Sequence, residues 1–195
     1  MKKFALLTIL MSLISVNIYA QSATETVKDG LRYVLLQGNI AAVGAANEVR
    51  ETITSVVIPD SVEIGGMTVP VERIDAFFDC KELKSVVLPA TAKDIFNFAF
   101  ENCEKLESIT MNEGLLSIGI SAFEDCKSLE SIEIPSTVSK IGSWVFKNCR
   151  KLSDIRIKEG NEIFEVADGI LIGNDRHIVD DTETIGPDKY IIFCP

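Results

Sequence analysis

The 195-residue chain is 47% apolar, and its 29 acidic against 19 basic side chains give a net charge of −10. Such a charge disfavours nucleic acid and anionic lipid as general partners, and with one histidine in the chain a His-dependent catalytic set or zinc site would have only His177 to use. The length and the apolar share suit one domain with a continuous core.

At the N-terminus, Lys2 and Lys3 precede an uncharged run from Phe4 to Ile18, and Tyr19-Ala20-Gln21 then offers a small residue at a cleavage point. Residues 1–20 therefore read as a secretory signal peptide. The run is about 15 residues, shorter than the roughly 20 a spanning helix needs, so no transmembrane segment is expected after cleavage. No cysteine precedes Cys80, which leaves none at the cleavage point to carry a lipid. The expected destination is the cell surface, the medium or the periplasm.

Residues 21–52 read as an N-terminal cap. Leu31 to Leu36 follows the turn pair Asp29-Gly30 and reads as a strand, and Ile40 to Gly44 as a second. Ile53 to Pro59 alternates into a short strand ended by proline. Residues 62–70 then place two alternating runs around Gly65-Gly66, the signature of an inserted β-hairpin.

From here the chain repeats. Cys80, Cys103, Cys126 and Cys149 stand 23 residues apart, with Phe77, Phe100, Phe123 and Phe146 three places before them and Leu83, Leu106, Leu129 and Leu152 three places after. A fixed period of this size marks a solenoid, whose units bury their apolar faces only against each other. Coils of this kind are expected over residues 53–158, their short strands stacked in parallel. The spacing of Ala122-Phe123 and Cys126 predicts one helical turn on the opposite wall, which makes the class α/β. Asp79, Asn102, Asp125 and Asn148, each just before a cysteine, are residue types that tolerate left-handed backbone and are expected to mark the exit from that turn. Gly119 and Gly142 recur seven places before the cysteine, where the third coil has Phe96; if these glycines serve a positive φ, that coil should be distorted. The ladder cysteines, side by side at about 5 Å with parallel side chains, are expected to be buried free thiols rather than disulfides.

After Ile157 the repeat decays. Asp168-Gly169 with Ile170 to Ile172 reads as a turn and strand, Tyr190 to Phe193 as another strand, and residues 159–195 as the C-terminal cap. Asp175, Asp180, Asp181 and Glu183 form a solvated acidic loop whose spacing fits no EF-hand. No metal and no cofactor is expected.

These residues resemble the BspA-like leucine-rich repeats of bacterial surface antigens. The pattern I-G-x-x-A-F-x-x-C-x-x-L-x-x-I-x-I-P is met from Ile118 to Pro135, from Ile141 to Ile157 with Lys158 replacing the last proline, and from Ile95 to Met111 with Phe96 replacing glycine. The resemblance implies a right-handed leucine-rich repeat solenoid with strands lining one face. It also implies kinship with proteins that include some acting in adhesion to host extracellular proteins, but the motif residues are structural and carry no binding residue across.

Function is therefore sought in the outward positions. Within each strand, the residue between two buried apolar positions points outward, which yields the row Val57, Val87, Thr110, Glu133 and Arg156. Ser55, Ser85, Ser108, Ser131 and Asp154 flank it. β-Propensity alone explains valine and threonine at such places. The functional reading makes Val57 and Val87, with Ile64 and Met67 of the hairpin, an apolar anchor for a protein partner, the charged end tuning specificity. A scaffold role without a host target is the alternative, and no catalytic residue is expected, because the serines repeat at one structural position.

Overall fold

The computed structural model describes residues 24–173, 184–186 and 189–193. The expected signal peptide, the expected acidic loop with His177, and Cys194 lie outside the described residues.

Strands β1 (Glu25–Lys28), β2 (Leu31–Leu36) and β3 (Ile40–Ala45) form an antiparallel meander. Asp29 and Gly30 at φ 52° and 76° give the first turn the two left-handed residues that a tight hairpin requires. After a 3-10 turn at Asn47–Val49 come β4 (Ser55–Val57) and the inserted hairpin of β5 (Ser61–Ile64) and β6 (Met67–Ile74), joined by Gly65-Gly66 at φ 60° and 79°. The coils then alternate β7 (Ser85–Val87), β8 (Asp94–Ile95), β9 (Ser108–Thr110), β10 (Ser117–Ile118), β11 (Ser131–Ile134), β12 (Lys140–Ile141) and β13 (Asp154–Ile157). The antiparallel pair β14 (Phe164–Ala167) and β15 (Ile170–Gly173) follows, joined by β16 (Thr184–Gly186) and β17 (Lys189–Phe193).

Two strand walls result. In one, β6, β8, β10 and β12 run parallel with Ile74, Ile95, Ile118 and Ile141 in register, and β3, β2 and β1 extend the sheet past β6. The other wall is divided into a parallel three-stranded sheet, β4-β7-β9, and a parallel pair, β11-β13. The first wall was not foreseen, because its coil strands are two residues long and show a single isoleucine instead of an alternation.

The expected helical turn is not there, and no α-helix occurs among the described residues. Between Gly119 and Cys126 the backbone makes linked turns, with Glu124 N donating to Ser121 O at 3.1 Å and Cys126 N to Phe123 O at 3.2 Å. Every second N–H turns instead to the neighbouring coil: Ser121 donates to Ser143, Phe123 to Val145 and Asp125 to Lys147, at 2.9–3.0 Å. A helix would keep those bonds within the segment. Left-handed residues make the exchange possible, and Asp79, Asn102, Asp125 and Asn148 sit at φ 59–61°, as their residue types anticipate.

Gly119 and Gly142 have a different role from the one expected. Neither has a positive φ. A Cβ on Gly119 would meet Asn97 N at 2.6 Å, and one on Gly142 would meet Ile120 N at 2.4 Å, so these glycines let one coil's backbone press against the next. Phe96, at the start of the row, has its ring outside and Arg73 stacked 4.3 Å over it.

The core is a set of ladders. Phe77, Phe100, Phe123 and Phe146 are fully buried and stack with centroids 5.3, 5.5 and 5.8 Å apart. Cys80, Cys103, Cys126 and Cys149 are buried free thiols. The last three donate to the carbonyls of Phe77, Phe100 and Phe123 in the preceding coil at 3.1, 3.2 and 3.0 Å, so one ladder hydrogen-bonds the other's backbone. Burial raises all four thiol pKa values, Cys80 to about 11 and Cys149 to about 12.

Four outcomes follow from this packing. Phe123→Ala, which leaves a void between two coils, should cost roughly 3–5 kcal/mol in denaturant unfolding; a loss below about 1 kcal/mol would contradict the stacked core. Gly142→Ala, though usually a mild change, should cost roughly 1–3 kcal/mol in the same measurement, because it overpacks a backbone contact. The thiols bind protons more tightly folded than unfolded, so their contribution is complete below the ordinary thiol value of 9.0 and is lost as pH rises toward about 11 and 12. Unfolding curves at stepwise alkaline pH should show this decline, and denatured, non-reduced protein should titrate at least four free thiols.

Candidate protein-binding face

The predicted row forms in register. Ser55, Val56 and Val57 lie opposite Ser85, Val86 and Val87, and these opposite Ser108, Ile109 and Thr110. Beyond the division in the wall, Ser131, Ile132 and Glu133 lie opposite Asp154, Ile155 and Arg156. Alternation sets the direction of each side chain: Val56, Val86, Ile132 and Ile155 are buried, while Val57 (75% exposed), Val87 (38%), Thr110, Glu133 and Arg156 face outward. Five side chains named from the spacing thus share one face, on two adjoining sheets instead of one.

The two halves differ electrically. The first presents valine, threonine and serine. In the second, Arg156 Nε lies 3.2 Å from Asp154 Oδ2, and Lys158 Nζ lies 2.8 Å from Glu113 Oε1 and 3.9 Å from Glu133 Oε2. The Lys158 hydrogen bond, with those from Ser136, holds the Glu113 carboxyl below its ordinary value. These pairs are exposed, so they shape the charge pattern while adding little stability.

The hairpin residues divide. Ile64, expected to help anchor a partner, alternates with Val62 into the core and is 1% exposed, which removes it from a partner's reach. Met67, at the hairpin tip, is 45% exposed.

A second exposed set was missed: Phe78, Phe96, Phe98 and Trp144 lie outside on the turn side. Arg50 stacks 4.3 Å over Phe78, and Lys147 lies 5.3 Å over Trp144. Phe98 and Trp144 occupy left-handed backbone at φ 62° and 58°, in the position that Ser121 holds one coil between them. The only sequence sign was an aromatic two places before the ladder phenylalanine, where the third and fifth coils break the residue pattern.

Among the described residues, no cluster of histidine, cysteine, aspartate or glutamate is arranged to hold a metal ion, and no helix is long and apolar enough to cross a membrane.

No protein of curated function matches the chain. Several solved structures share its fold. A leucine-rich repeat protein from Bacteroides capillosus is 23% identical with a TM-score of 0.59, over 69% of this chain and 99% of its own. The T. pallidum leucine-rich repeat protein is also 23% identical, with a TM-score of 0.52 over 68% of this chain and 71% of its own. One from Bacteroides ovatus is 28% identical, with a TM-score of 0.50 over 67% of this chain and 40% of its own. The BspA type leucine rich repeat region matches residues 49–167 in 6 copies, which spans more than half of the sequence. The chain belongs to the BspA-type leucine-rich repeat family.

Proposed function

We propose that this protein is an exported, non-catalytic binding module that takes a protein partner on the strand face headed by Val57 and Val87, in a role such as adhesion to host extracellular proteins. One observation carries the reading: two β-branched side chains lie exposed side by side, in register, on a sheet whose other face already holds the core. Neither belongs to the core. Serine hydroxyls flank them, and a charged segment with Glu133 and Arg156 follows, giving the apolar centre and polar surround of a recognition patch. Met67, on the hairpin, adds an exposed apolar group. Membership of a leucine-rich repeat family supports the class, since repeat solenoids work by presenting extended surfaces.

The Val57→Lys, Val87→Lys double variant, with unchanged thermal unfolding, should lose at least tenfold in affinity for the partner recovered by the wild-type protein. Full retention would remove this face from consideration. Digestion of intact cells with added protease tests the location: cleavage of the native protein fits a surface role, and protection until the outer membrane is opened contradicts it.

A further inference from the structure

We propose that the outer edge of β4 is a main-chain docking site for an extended segment of a partner protein, one that alternates apolar residues and ends in a basic side chain near Asp29. The two walls finish differently at the N-terminal end. On one, β6 is continued by β3, β2 and β1. On the other, β4 pairs with β7, and among the described residues no strand lies on its far side.

The hydrogen bonds fix which groups point that way. Thr54 O accepts from Lys84 N at 2.8 Å, and Ile58 N donates to Val87 O at 3.0 Å, so Thr54 and Ile58 turn their main chain toward β7. Alternation along a strand then directs the N–H and C=O of Ser55 and Val57 outward. An edge of this kind is a template for another chain. It also explains the graded exposure of the row: Val87 has a strand on either side and is 38% exposed, while Val57 has one and is 75% exposed.

A cleft of about 400 Å³ lies beside this edge, with Leu31, Val49, Ile53 and Val56 among its lining and Asp29 on it. An added strand would direct alternate side chains into it, which calls for apolar residues at every second place. Charge chooses the end group. Asp29 is exposed, and Glu48 and Glu51 adjoin the lining residues Val49 and Thr52, with Lys28 as a partial offset. Arg50, in the same turn, bonds the carbonyls of Ala45, Ala76 and Phe78 and keeps its charge, so with Lys28 it leaves the three carboxylates in excess by one charge. A cationic terminus on the incoming strand complements what remains.

This inference concerns the strand's edge, not the face proposed above, and can fail separately. The probe is a set of acetylated, amidated octapeptides alternating valine and threonine, with lysine at either end, added to isotope-labelled mature protein. Saturable NMR shifts and slowed hydrogen exchange are expected at the Ser55 and Val57 amides. N-methylation of alternate peptide nitrogens should weaken binding at least tenfold. Val57→Pro, which deletes one outward N–H while keeping the bonds to β7, should weaken it about tenfold. No effect at Ser55 and Val57 with any peptide at millimolar concentration would overturn the proposal. So would equal binding by the N-methylated set, or shifts confined to Val87 and Thr110, which would assign the peptide to the face.

Discussion

Everything in this molecule depends on the stacking of one coil's phenylalanine on the next. A single coil cannot enclose a side chain of that size, and Phe100 and Phe123 are buried only because a neighbouring ring covers each side. The backbone follows from this. With rings 5.3–5.8 Å apart the coils lie close, and the close approach is matched by glycine at 119 and 142, thiols small enough to reach a neighbour's carbonyl, and peptide groups turned outward by left-handed residues. The apolar contact and the polar accounting are met by the same geometry.

That coupling explains which parts could be read in advance. Ladder positions are visible because each must be filled by a particular kind of side chain in every coil, so Phe, Cys and Leu recur at one interval and Asp or Asn recurs where φ is positive. The outward row was legible for the complementary reason: once Val56, Val86 and Ile132 are assigned inward, their neighbours have one direction left. The errors have physical causes too. Ala-Phe-x-x-Cys has the spacing of one helical turn, but left-handed Ser121 and Asp125 send alternate donors to another coil. Glycine suggested φ freedom where the need was absence of a Cβ. Ile64 looked available at a hairpin tip, yet its strand alternates into the core. Phe98 and Trp144 were passed over because a position that accepts serine in one coil gives no pattern to read.

Motif positions are consumed by packing, so they specify the coil and leave nothing for a partner. The residues that the repeat does not dictate are more varied, with valine, threonine, glutamate and arginine along one row, and the proposed binding face draws on these. The inserted hairpin belongs to the same category, being outside the 23-residue pattern while sharing the core through Val62, Ile64, Val69 and Val71.

The division between β9 and β11 concerns one wall only. On one side of the junction the wall β6-β8-β10-β12 passes through unbroken, and on the other the strand ladder stops at β9 and restarts at β11. The coils remain joined across the gap, where Ser128 N donates to Glu104 O at 3.1 Å and the rings of Phe100 and Phe123 stack beneath it, so the interruption is confined to the strand ladder. The apolar and the charged halves of the outward row lie on opposite sides of that interruption, so anything laid along the row from Val57 to Arg156 passes from one backbone ladder to another.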